Sequence, residues 1–178
     1  LPTAASGAST GYVAYSVLHL TATTPGLVTR YLARDLPGLD LSDPRSIRYE
    51  GQTYLTSLSH LRVARSRDGI HFTVETRPAI GPARLEEEFG CEDPRITQIG
   101  DTFYIAYTAV SRYGIGTALA ATIDFRTFDR MGVVFYPENR DVALFPDRIG
   151  GRFAAIHRPQ PRHIGPPTMW VAYSDDLR

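Results

Sequence analysis

The stretch Asp93-Pro94-Arg95-Ile96-Thr97-Gln98-Ile99-Gly100-Asp101-Thr102-Phe103-Tyr104-Ile105-Ala106-Tyr107 decides the fold, because its pattern recurs. An Asp-Pro-Arg opens it, a glycine turn interrupts it, and an aromatic and β-branched run closes it. Upstream the same order reads Asp43-Pro44-Arg45-Ser46-Ile47, then Glu50-Gly51, then Gln52-Thr53-Tyr54-Leu55-Thr56. A weaker third copy reads Leu144-Phe145-Pro146, then Gly150-Gly151, then Arg152-Phe153-Ala154-Ala155-Ile156. The prolines Pro44, Pro94 and Pro146 lie 50 and 52 positions apart, and the glycines Gly51, Gly100 and Gly151 lie 49 and 51 apart. A steady period in this range marks solenoids or propellers. Each unit starts as a hairpin, with Glu50-Gly51 and Gly150-Gly151 able to supply positive φ.

The second half of the unit repeats too. Val63-Ala64-Arg65-Ser66-Arg67-Asp68-Gly69 matches Leu119-Ala120-Ala121-Thr122-Ile123-Asp124-Phe125 and Val171-Ala172-Tyr173-Ser174-Asp175-Asp176-Leu177. Each is a short strand of small residues ending in a turn that aspartate caps with its own side chain. Small residues let neighbouring sheets approach. Segment 82–92 is too short for more than a turn of helix. The unit therefore reads as four antiparallel strands, and the fold class as an all-β propeller of four-stranded blades. A β-sandwich predicts neither the paired Asp-Pro-Arg motifs nor their offset. The chain divides into a partial N-terminal blade over 1–42, with strands at 12–20 and 28–34, blades at 43–92 and 93–143, and a partial blade at 144–178. A closed propeller needs at least about four blades, so 1–178 reads as one incomplete propeller domain, continued beyond Arg178 in the favoured reading and completed by a partner chain in the alternative.

Nineteen basic residues balance nineteen acidic ones, which argues against a nucleic-acid partner. The single cysteine, Cys91, rules out an intrachain disulfide and any cysteine-based metal site. With no apolar run of about 18 residues and no leader pattern, the expectation is a cytoplasmic protein without membrane contact. His19, His60 and His71 lack metal-ligand spacing, so no metal is expected.

Propeller ligands sit around the central axis, where the first strands of the blades meet. Asp93 opens one such strand and is the strongest catalytic candidate. The following proline disfavours helix, so Asp93 is expected to be extended, with Arg95 on its side and Glu92 opposite. The rival reading makes Asp-Pro-Arg a structural tie between blades, for Asp43 as well. Glycosidic cleavage needs a general acid and usually a second carboxylate. Phosphorolysis dispenses with the base but needs donors for phosphate. The third unit offers them in Pro137-Glu138-Asn139-Arg140-Asp141, expected in a loop, in His157-Arg158-Pro159, and at His163. The alternative is that Arg140 and Arg158 pair with Glu138, Asp141 or Asp147. Tyr104, Tyr107, Tyr113, Phe135, Tyr136 and Trp170 read mostly as inter-blade core.

The runs Glu92-Asp93-Pro94-Arg95-Ile96-Thr97, Pro137-Glu138-Asn139-Arg140-Asp141-Val142-Ala143-Leu144-Phe145-Pro146, His157-Arg158-Pro159 and Met169-Trp170-Val171-Ala172-Tyr173-Ser174-Asp175-Asp176-Leu177 together resemble glycoside hydrolase family 130. The resemblance implies a five-bladed propeller, of which this chain is a part, and inverting phosphorolysis of β-mannosides with release of mannose 1-phosphate. It places the general acid on Asp93, acting through a sugar hydroxyl, and phosphate on Asn139, Arg140 and Arg158. Substrate contacts fall on Asp43, His60, Arg62 and Arg95. Inorganic phosphate is the co-substrate, and no cofactor is implied.

The pattern is similar to the branch acting on β-1,2-linked mannosides. Two departures stand out: His60 aligns where the family carries a mannose-binding arginine, with Arg62 nearby, and Asp43-Pro44 stands where many members have Asn-Pro. The implied partners are an oligosaccharide and phosphate, with a homo-oligomer left open. A further family histidine and an aspartate are expected beyond Arg178, so this stretch alone is expected to be inactive. The competing functions are a β-mannoside hydrolase of the same family and a non-catalytic carbohydrate-binding propeller.

Overall fold

Thr102–Ser111 and Gly114–Thr122 hold the centre of the computed structural model, which describes residues 11–20, 46–49, 51–55, 57–160, 165–166 and 168–177. Numbered along the chain, the strands are β1 (Gly11–Leu20), β2 (Ser46–Tyr49), β3 (Gln52–Leu55), β4 (Ser57–Ser66), β5 (Thr73–Val74), β6 (Gly90–Ile99), β7 (Thr102–Ser111), β8 (Gly114–Thr122), β9 (Asp129–Phe135), β10 (Asn139–Leu144), β11 (Phe153–Pro159) and β12 (Trp170–Ser174). The only helical element among the described residues is a 3₁₀ turn at Leu85–Glu87. No described helix is long and apolar enough to cross a membrane.

The chain is all-β. Strands β6-β7-β8-β9 form an antiparallel meander, and β10-β11-β12 form a second. In β7 and β8 most residues are buried, on both faces. Ile105, Tyr107, Ala109, Ala118 and Ala120 pack with Leu61 and Val63 of β4, Ile80, Cys91 and Phe125. Their sequence neighbours Ala106 and Leu119 pack instead with Val142 of β10 and Ala155 of β11. Successive side chains of a strand point to opposite faces, so one sheet supplies both cores. Ala118 and Ala120 are fully buried, and their size sets how closely β4 can approach. Burial pushes the Cys91 thiol up to about 12, which leaves it protonated and inert at neutral pH.

The repeated turns hold as read. Asp68 accepts the N–H groups of Ile70 and His71, and Asp124 those of Arg126 and Thr127. Gly69 and Phe125, the residues after the two aspartates, both have positive φ, 74° and 52°. A left-handed phenylalanine is strained; here its ring is buried beside Phe103.

The region before β6 is arranged differently from the second meander. β2 and β3 form a hairpin of their own, and β4 pairs along its length with β1. One residue separates β3 from β4, too few for a hairpin turn, so β4 takes another neighbour. It meets β6 at a single parallel bridge, Ser59 to Gly90. No closed propeller is formed among the described residues. The strand read at 28–34 lies outside them; that at 12–20 coincides with β1.

Candidate functional site

Both meanders open with a bulged strand. On β6, Glu92 pairs with Thr108 and Arg95 with Ala106, so Asp93 and Pro94 together face Tyr107. Proline has no N–H to give the ladder and is found at bulges. The expected extended Asp93 is corrected: its φ is +48°. Aspartate is among the few residues that tolerate this region, and a bulge re-aims the side chain it carries. Asp93 and Arg95 are both exposed.

On β10, Arg140 pairs with Arg158 and Ala143 with Ile156, so Asp141 and Val142 share one partner position. Asp141 has φ +59° and follows Asp93 by 48 positions. The backbone thus matches Asp93 with Asp141, where the sequence matched Pro94 with Pro146. Residues 139–141, expected in a loop, are the start of β10.

The two bulges meet. Thr97 Oγ1 donates to the Leu144 carbonyl at 3.2 Å, which sets β6 beside β10. Arg95 Nη1 donates to the Asp93 carbonyl at 3.4 Å, and its Nη2 to Asp141 Oδ1 at 3.2 Å. Arg158 Nη2 donates to the other oxygen, Asp141 Oδ2. A chain of contacts therefore runs Asp93, Arg95, Asp141, Arg158. Arg140 binds Gln160 Oε1 through Nε and Nη2, at 3.0 and 2.6 Å. Asn139 Nδ2 lies 2.9 Å from His157 Nδ1, and the imidazole stacks on Phe135 at 4.6 Å between centroids. Burial holds His157 below its ordinary pKa. With the amide donating, Nδ1 accepts and the ring proton sits on Nε2. Among the described residues, two buried polar atoms, Asn139 Oδ1 and Arg158 Nε, find no hydrogen-bond partner, and both belong to this cluster.

The substrate candidates on β4 form a second group. Arg62 Nε donates to His60 Nε2 at 3.1 Å, and His60 is buried. Their strand reaches β6 through Ser59, whose hydroxyl donates to Glu92 Oε1 at 2.8 Å. Asp43 and His163 lie outside the described residues. A cavity of about 200 Å³ between the meanders is lined mainly by Leu119, Val134, Phe135, Leu144 and Ala155. It contains none of the predicted residues and is a gap between packed sheets. Among the described residues no three side chains converge as metal ligands.

Sequence reasoning named Asp141 only as a rival partner for the arginines. Its signal was the 48-residue step from Asp93, masked by the stronger proline match. Gln160 carried no signal, because it has no counterpart in the other units.

Comparison with known proteins agrees with the family resemblance. Residues 41–177 match the glycoside hydrolase family 130 model, described as beta-1,4-mannooligosaccharide phosphorylase. The chain is 48% identical over 143 residues to the beta-1,2-mannobiose phosphorylase of Listeria innocua, covering 78% of this chain and 40% of that protein. It is 35% identical to a 1,2-beta-oligomannan phosphorylase of a Thermoanaerobacter species, covering 68% of this chain and 40% of that one. The solved Listeria innocua enzyme in complex with beta-1,2-mannobiose superposes with a TM-score of 0.75 at 46% identity, over 81% of this chain and 42% of that one. The chain thus spans about two fifths of the length of the curated relatives it matches. On the family match and these identities, the chain belongs to glycoside hydrolase family 130.

Proposed function

We propose that the protein carrying this chain cleaves β-mannosides by phosphorolysis, with β-1,2-linked manno-oligosaccharides as the substrate class. The observation that carries the reading is the meeting of Asp93 and Arg158 at one end of β6, β10 and β11, linked through Arg95 and Asp141. Asp93 is the proton donor. Phosphate attacks the anomeric carbon from the opposite face, and the glycosidic C–O bond breaks. Its electron pair goes to the leaving oxygen, which takes the proton through a sugar hydroxyl. The products are mannose 1-phosphate with inverted configuration and a shortened mannoside. Arg158, Arg140 and Asn139 hold the phosphate; guanidinium groups suit its oxygens because they donate in a planar fork. His60 and Arg62 contact sugar, as does Asp43.

The two meanders support propeller blades over 93–143 and, in part, 144–178; the blade over 43–92 and the partial blade over 1–42 rest on the sequence repeat. The names of the similar enzymes support the linkage and the co-substrate: the most similar of those described above is a β-1,2-mannobiose phosphorylase.

The test is incubation of the full-length protein with β-1,2-mannobiose, with and without phosphate, reading mannose 1-phosphate and free mannose. Phosphorolysis requires product to depend on phosphate; equal turnover without it makes the enzyme a hydrolase. Asp93→Asn is expected to lower the rate by roughly 10²–10⁴-fold, and an unchanged rate removes Asp93 from the mechanism.

A further inference from the structure

We infer that Asp141 is a positioning residue, a carboxylate clamp that fixes Arg158 for phosphate and sets its spacing from Asp93. The inference rests on the phosphorolytic reading above and assigns it a residue outside the acid and the phosphate ligands.

Three observations converge on it. Asp141 sits in a bulge at φ +59°, so its side chain leaves the ordinary alternation of β10. Its two oxygens are divided between two strands: Oδ1 takes Arg95 of β6 and Oδ2 takes Arg158 of β11. Arg95 in turn holds the Asp93 carbonyl. One carboxylate therefore spans the first meander, which carries the proton donor, and the second, which carries the phosphate site. The third observation is Arg158 Nε, buried and without a hydrogen bond among the described residues. With Nη2 committed to Asp141, the guanidinium plane is fixed, and the remaining donors are aimed rather than free to rotate. A flexible cation needs no such partner. A nucleophile that must approach one face of an anomeric carbon does, since catalysis falls steeply with small misplacements.

The alternative is that Asp141 only neutralises two crowded arginines. The two ideas predict opposite signs. Removing a neutralising carboxylate strengthens anion binding; removing a clamp weakens it.

The experiment uses the full-length enzyme and Asp141→Asn, which keeps the shape and removes the charge, beside Arg158→Ala and Asp141→Glu. Phosphate KM, mannoside KM and kcat are measured, with calorimetric titration of inorganic phosphate and a melting curve. The clamp predicts that Asp141→Asn raises phosphate KM and Kd roughly ten- to hundredfold. It leaves mannoside KM within about twofold. Asp141→Glu, which keeps the charge, recovers part of the loss and stands in if the Asn variant fails to fold. Unchanged or tighter phosphate binding in Asp141→Asn overturns the clamp. So does a uniform loss of both KM values together with a collapsed melting temperature, which marks a role in folding alone. If wild-type turnover ignores phosphate and Arg158→Ala is silent, the phosphorolytic reading itself falls, and the clamp with it.

Discussion

Replacing Glu87 with glutamine tests whether the site strand is braced from behind. Glu87 ends the 3₁₀ turn before β6, and its side chain is 2% exposed. It accepts from Tyr107 Oη at 2.8 Å, Arg130 Nη2 at 2.5 Å and the Ala83 N–H at 3.0 Å. Arg130 also donates to the Gly81 carbonyl at 3.1 Å and to Tyr107 Oη. Tyr107 is the residue that faces the Asp93-Pro94 bulge across the ladder. Burial raises the Glu87 carboxyl, but the hydroxyl, guanidinium and amide donors outweigh it and hold it below its ordinary value.

Breaking a buried ion pair by removing one charge costs about 3–5 kcal/mol. Arg130 keeps 20% exposure and glutamine retains an acceptor, so about 2–3 kcal/mol is expected here. For a chain of this size that is a fall in Tm of about 4–12 °C, smaller in a longer protein, read by calorimetry. The pH dependence fixes the sign. Because the folded carboxyl titrates below the ordinary value of 4.5, its stabilisation is complete above that pH and fades as pH falls through the folded value. The gap between wild type and Glu87→Gln must therefore be widest near neutrality and close in acid. A variant that melts within 1 °C of wild type at pH 7, or a gap that widens in acid, refutes the brace.

Gly90→Ala strikes the parallel backbone bridge between β4 and β6. Gly90 has φ +141°, and an added Cβ would lie 2.8 Å from the Ser59 nitrogen, so a loss of roughly 2–4 kcal/mol is expected in chemical denaturation. His157 is held below its ordinary pKa by burial, so protonation favours the unfolded chain. Stability should be full above about pH 6.5 and decline as pH falls through that value towards the folded one. His157→Gln should flatten that decline, and an imidazole NMR titration midpoint at or above 6.5 would contradict it.

The turns and strands were legible because their causes are local. Asp68 and Asp124 bond backbone groups two and three residues ahead, a distance that sequence spacing expresses directly. The small residue Ala120 likewise announced close packing, and it is fully buried. The aromatics were only partly legible. Tyr107 is core, as read, but Tyr113, Tyr136 and Trp170 are 64%, 77% and 59% exposed. An aromatic at a strand end signals burial only if a sheet covers it. The polar brace around Tyr107 was hidden because Glu87 and Arg130 stand 20 and 23 residues away. The Asp93 bulge had a visible cause in Pro94, which the expectation of an extended Asp93 overlooked. The Asp141 bulge has no proline and left no local mark.

The paired bulges show how one repeated backbone device comes to meet two different surroundings. A strand that opens each meander cannot both keep a regular ladder and turn a carboxylate out of its alternation. The bulge resolves this by giving one residue to the turn, at φ +48° in one case and +59° in the other. The backbone device is the same; what differs is the surroundings that the side chain meets. Asp93 is exposed on β6. Asp141 instead points where Arg95 arrives from the preceding meander and Arg158 from the next strand. A carboxylate that accepts from two guanidinium groups is oriented by them, one from each neighbouring strand. The repeat creates both positions, and the placement of two arginines is what sets Asp141 apart from Asp93.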